Sequence, residues 1–153
     1  MKIDPIKFIN YWPPYLGAGI RVTNISKDFK AIDVRLKFRW WNKNAVGVHF
    51  GGSLYSMTDP FYMMMLIKNL GPDYVVWDKH SSIRFVKPGL STVTAHFRLT
   101  DEQIAEFKHG ADNNKKFEKE LTVNVVDEQG IVAEVKKLLY VRHRNTIKSL
   151  DKK

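Results

Sequence analysis

Cysteine is absent from the 153-residue chain, which excludes disulfides and thiolate metal sites and fits a reducing compartment. The five histidines show no ligand spacing such as HExxH, so no metal is expected. Neither GxGxxG nor a Walker A Gly-Lys-Ser/Thr occurs, and there is no GxSxG elbow; nucleotide loops of those types and a serine-hydrolase elbow are excluded. No run reaches the roughly 18 apolar residues of a membrane span, and Pro60 to Ile67 falls far short. The first ten residues, MKIDPIKFIN, lack the apolar core of about 7–15 residues that a signal peptide carries. A cytoplasmic protein with no membrane partner is therefore expected. Acidic residues are also few: 16 against 25 Lys and Arg, a net charge of +9.

What is present fits a single domain, 1–153, with its core over about 20–141 and a basic C-terminal tail at 142–153. The positive charge calls for an anionic partner: nucleic acid, a membrane surface, or a phosphate-bearing small molecule such as coenzyme A. No aromatic-and-basic stacking motif accompanies the charge, which disfavours nucleic acid.

Along the chain, Asp4-Pro5 reads as the cap and first residue of a short helix carrying Phe8, Ile9 and Trp12, ended by Pro13-Pro14. A strand follows at roughly Ile20 to Ile25. Ile32, Val34, Leu36, Phe38 and Trp40 alternate with Asp33, Arg35, Lys37 and Arg39, so this strand buries one face and wets the other. Gly71-Pro72 stops the central helix, and Tyr74 to Val86 reads as a long strand with a polar middle. Val93, Ala95, Phe97 and Leu99 alternate with polar neighbours in a further strand. Thr100 and Gln103 form a capping box for a short helix that Gly110 is expected to end. Two strands complete the chain, from Phe117 and from Ile131 to Val141, joined by a hairpin at Asp127 to Gly130. Lys137 falls on the apolar face of the last one, so either a bulge shifts the phase or a lysine points at an interface.

The organising stretch is His49 to Asn69, HFGGSLYSMTDPFYMMMLIKN. It opens on two glycines and continues as an apolar helical segment in which Asp59 is the one side chain expected to be charged between Leu54 and Ile67. A helix without a polar face must be wrapped, and the surrounding strands supply the wrapping. The element order predicts an α+β roll whose open edges favour pairing with a second copy. A carboxylate in such a place costs several kcal/mol, as an order of magnitude, unless partners or function account for it.

Three features resemble the hotdog-fold thioesterases of the phenylacetate-pathway type and related bacterial proteins. Gly51-Gly52 followed by Asp59 is similar to the HGG motif and acidic helix residue of that family, Ile83-Arg84-Phe85-Val86-Lys87-Pro88 is similar to its strand end, and the element order matches from about Ile20 to Val141. Two departures stand out: Phe50 occupies the place of the family's histidine, with His49 one residue earlier, and Pro60 follows the acidic residue, where it breaks the helix. The resemblance implies a hotdog fold, a curled antiparallel sheet around one long central helix, assembled as a homodimer or a dimer of dimers, with Asp59 facing the partner's glycine turn. It implies an acyl-CoA thioesterase, with coenzyme A arriving as part of the substrate and no separate cofactor.

Thioester hydrolysis needs a base or nucleophile and donors for the developing oxyanion. Asp59 is the candidate base. Gly51 and Gly52, at a helix start, are the candidate oxyanion site. His49, Phe50, Ser53 and Ser56 are expected around the substrate, and Arg84, Lys87 and Arg142 are candidates for its phosphates. Against these stand ordinary structural readings: a tight loop-to-helix turn for the glycines, an Asp-Pro helix cap for Asp59, a solvated strand end for Arg84 and Lys87. Met57, Met63, Met64 and Met65 read as core or as a tunnel lining. The alternative function is a non-catalytic acyl-CoA or lipid-binding hotdog protein, motivated by Phe50.

Overall fold

In the computed structural model, residues 5–145 are described. Pro5–Tyr11 forms a 3-10 helix, and Pro13-Pro14, expected to end a helix, instead starts one, α1 (Pro13–Ala18). Proline in the first helical turn sacrifices no internal hydrogen bond, so the pair is well placed there. Gly19, with φ of +81°, closes α1 by donating its N–H to the carbonyls of Tyr15 and Leu16. Asp4 lies outside the described residues.

Six strands follow: β1 (Ile20–Ile25), β2 (Ala31–Leu36), β3 (Tyr74–Phe85), β4 (Val93–Arg98), β5 (Phe117–Asp127) and β6 (Gly130–His143). They form one sheet in the order β1-β2-β4-β5-β6-β3, every neighbouring pair antiparallel. The alternating run from Ile32 stops at Leu36 rather than reaching Trp40. Asn42 is the cause: its buried amide donates to the carbonyls of Lys37 (2.7 Å) and Ala18 (3.3 Å) and accepts the Arg39 N–H at 2.8 Å. That folds Trp40–Asn42 into a 3-10 turn and leaves Trp40 82% exposed.

Between β2 and β3 lies the central helical segment, which Pro60 divides into α2 (Gly51–Ser56) and α3 (Phe61–Leu70). Phe61, Met65 and Leu66 are fully buried, and the Phe61 and Tyr62 rings pack 5.0 and 5.1 Å from that of Phe97 on β4. This is the hotdog arrangement, a curled antiparallel sheet around a central helix. The wrapping is incomplete on one flank, where Met63 and Met64 are half-buried and Ile67 is 43% exposed.

The remaining helix, α4 (Asp101–Asn113), starts at the Thr100–Gln103 capping box and runs past Gly110. Gly110 is buried inside it because the Phe117 ring occupies its side-chain space: a Cβ there would stand 2.2 Å from Phe117 Cδ2. Close packing of a strand, not chain termination, explains this glycine.

Candidate functional site

Asp59 sits in the turn that joins α2 to α3, and the local sequence fixes that turn. Thr58, fully buried, donates its hydroxyl to the Tyr55 carbonyl at 2.7 Å. The backbone carbonyl of Asp59 accepts from the Tyr15 hydroxyl of α1. Burial raises the Tyr15 pKa, with Asp59 adding to the effect, so the phenol stays protonated as a donor.

The side chain of Asp59 is half open to solvent, and its Oδ1 accepts from Lys137 Nζ at 3.0 Å. Lys137 is the apolar-face lysine of the last strand. The β6 register runs unshifted past it, between Ser81 of β3 and Leu121 of β5, so no bulge turns it outward. It lies in the inward row of Ala133, Val135, Leu139 and Val141 and is 2% exposed. A lone ammonium there would be strongly disfavoured. Two carboxylates answer it: Asp59 and, at 3.3 Å, Asp78 Oδ2 of β3. The Tyr55 ring lies 5.2 Å from the ammonium and adds a cation–π contact.

These groups perturb one another. Burial works against the charge on Lys137, but the hydrogen bond to Asp59 and the fields of both carboxylates outweigh it and hold the lysine above its ordinary pKa. Burial likewise pushes the Asp78 carboxyl above the usual range, reinforced by Asp59 and opposed by Lys137. Asp78 Oδ1 is buried without a hydrogen-bond partner, the structural counterpart of that raised proton affinity. The shift in β3 register between Asp78 and His80 marks where the strand departs from its regular pairing beside this cluster.

Gly51 and Gly52 form the first turn of α2, where backbone N–H groups have no intrahelical acceptor. Both are held by aromatic rings: a Cβ on Gly51 would meet Phe85 Cζ at 2.9 Å, and one on Gly52 would meet Phe50 Cε1 at 2.5 Å. Gly51 opens into a cavity of about 420 Å³ with His49, Leu54, Phe85, Lys87 and Gly89 in its wall. His49 is buried, its Nε2 2.8 Å from the Ser91 carbonyl and its ring 4.8 Å from that of Phe38; burial lowers its pKa. Phe50 is 55% exposed. Ser53 is buried at the start of α2, and Ser56 donates its hydroxyl to the Gly52 carbonyl at 2.8 Å.

The candidate phosphate ligands have partners of their own. Lys87 Nζ lies 2.7 Å from Asp127, whose pKa it lowers, and Arg84 reaches Glu134 at 3.5 Å. Arg142 retains a buried Nη1 without a partner. The structure thus gathers Gly51, His49 and Lys87 around one cavity and places Asp59 elsewhere, with Lys137 and Asp78. Sequence reasoning flagged Lys137 as misplaced but passed over Asp78, which sits in the polar middle of β3 and carries no signal of its own. Among the described residues no group of three or more His, Asp or Glu converges as a metal site requires.

Comparison with known proteins gives the family and the fold. The model of a family described as a domain of unknown function, DUF4442, matches residues 6–141. Among solved structures, a probable thioesterase from Pseudomonas aeruginosa is 21% identical with a TM-score of 0.76, covering 94% of this chain and 98% of that one. A putative thioesterase from Shewanella oneidensis is 17% identical with a TM-score of 0.65, covering 90% and 93%. The Escherichia coli PaaI protein of the phenylacetic acid degradation operon is 14% identical with a TM-score of 0.61, covering 89% and 88%. No curated protein matches the sequence.

Proposed function

This chain belongs to the DUF4442 family, and from that premise we propose that it is a homo-oligomeric hotdog thioesterase that hydrolyses an acyl-CoA to the free acid and coenzyme A. The observation that carries this reading is the half-open Asp59 carboxylate, anchored by a buried lysine at a helix break. The names of the solved neighbours add support.

Asp59 takes a proton from water, which attacks the thioester carbonyl. Backbone N–H groups at Gly51 and Gly52 hold the resulting oxyanion. Collapse of that intermediate breaks the C–S bond, and the coenzyme A thiolate leaves and takes up a proton. Lys137 holds the Asp59 carboxylate in place through the 3.0 Å contact to Oδ1. Eight residues of largely helical rise separate Asp59 from Gly51, on the order of 10 Å, too far for both to touch one carbonyl. The reading therefore pairs Asp59 of one protomer with the glycine turn of a second copy.

Steady-state release of thiol from a panel of acyl-CoAs tests it. The wild-type protein should turn over at least one member, and Asp59→Asn should lower kcat by roughly 10²- to 10⁴-fold. An Asp59→Asn rate equal to wild type removes the assigned role, and no turnover of any acyl-CoA removes the hydrolase. Phe50 in the place of the HGG histidine favours one second reading, an acyl-CoA-binding protein without chemistry. Calorimetry that finds tight binding without turnover selects it.

A further inference from the structure

Four cations of this protein gather on a face that the hydrolase reading does not use. Arg21 on β1 and Arg35 on β2 are direct cross-strand partners, so their side chains share one face. Like charges placed this way repel and destabilise a sheet. Lys37 and Arg39, beyond the end of β2, join them, and all four cations line a single concavity of about 370 Å³, together with Tyr15, Leu16, Gly19 and Trp41.

The neighbourhood does not neutralise them. Among the described residues no carboxylate forms an ion pair with any of the four. Asp33, two residues from Arg35, is engaged by Arg98 at 2.7 Å and by His96 at 2.8 Å. Arg35 Nε is buried with no hydrogen-bond partner. Arg39 stacks 5.0 Å from the Trp41 ring centre, which fixes its guanidinium at the rim. The Trp41 indole N–H lies beside Gly19, whose positive φ and missing side chain keep that side of the pocket open.

We propose that this pocket binds a small molecule carrying two or more phosphoryl groups. Three guanidinium groups and an ammonium offer charge and planar, paired donors to phosphate oxygens. The orphaned Arg35 Nε supplies a donor that an anion satisfies. A bound anion also relieves the cross-strand repulsion between Arg21 and Arg35. The four cations converge on one concavity of about 370 Å³ with Trp41 in its wall, a volume suited to a compact ligand. The proposal stands apart from the hydrolase reading, because binding is measured without turnover.

Isothermal titration of the full-length protein with inorganic pyrophosphate, at fixed ionic strength, is the test. Saturable one-to-one binding is expected, with quenching or enhancement of tryptophan fluorescence through Trp41. Arg35→Gln and Lys37→Gln should each weaken it at least about tenfold, while Lys108→Gln on the exposed face of α4 leaves it unchanged. A parallel thermal melt guards against misfolding: wild type should gain Tm on adding pyrophosphate, and folded Arg35→Gln should not. Adenosine 3′,5′-bisphosphate binding more tightly than pyrophosphate identifies a nucleotide phosphate; the reverse order identifies a plain diphosphate. Absence of saturable binding overturns the proposal. So does binding that Arg35→Gln leaves intact, or binding that only long DNA shows and that all three variants reduce equally.

Discussion

Two clusters of charge in this molecule solve opposite problems. Inside, a single ammonium, Lys137, is 2% exposed and surrounded by two carboxylates and an aromatic ring. Beside β1 and β2, four cations share a pocket, and among the described residues no carboxylate forms an ion pair with them. Burial forces compensation in the first case, because an unpaired charge away from water is disfavoured by several kcal/mol, as an order of magnitude. Solvent screening tolerates like charge in the second. A compensated cluster holds a structure in place, whereas an uncompensated one holds out an affinity.

The largest expected effect lies on the compensated side. Lys137→Met should lower unfolding free energy by about 3 kcal/mol, since it leaves Asp78 facing Asp59 with no cation between them. Urea denaturation measures it, and a loss below about 1 kcal/mol would show that the cluster is not held by its lysine. The alkaline limb sharpens the point. Lys137 has a folded pKa raised above its ordinary 10.5, so its contribution is complete below that value and is lost as pH rises through the higher folded one. Stability curves of wild type and Lys137→Met should therefore converge above pH 10.5. Parallel curves would deny the linkage.

His49 is an intermediate case, a buried ring with no charged partner. Burial lowers its pKa below 6.5, so the unfolded chain binds the proton more readily. Stability present above 6.5 should fall as pH drops below it, and His49→Gln should flatten that acid limb. The smallest effect is on the outer face. Arg35→Gln should raise stability by about 0.5 kcal/mol in low salt through relief of repulsion from Arg21, and about 1 M salt should erase the gain. A destabilised Arg35→Gln would mean that the side chain packs more than it repels.

Much of this was legible in the chain. The strand from Ile32 announces itself by its alternation, and Asp59 by its isolation among apolar neighbours, because both are properties of local order. Lys137 was visible as an offender in an apolar row, but not its partners, since residues 59, 78 and 137 meet only through the β3–β6 pairing and the helix break. Gly110 looked like a stop because a glycine in sequence does not disclose which ring fills the space beside it. Pro13-Pro14 ended one element and started the next, and proline chemistry permits both. The arginine pocket was hidden in the same way: alternation placed Arg35 and Lys37 on the wet face, while the register that sets Arg21 opposite Arg35 is a tertiary fact.

One phenol borders both clusters. Tyr15 forms part of the wall of the cationic cup, and its hydroxyl grips the peptide of Asp59. A displacement of that ring would therefore pull directly on the peptide of Asp59, because one hydrogen bond ties the wall of the cup to the helix break.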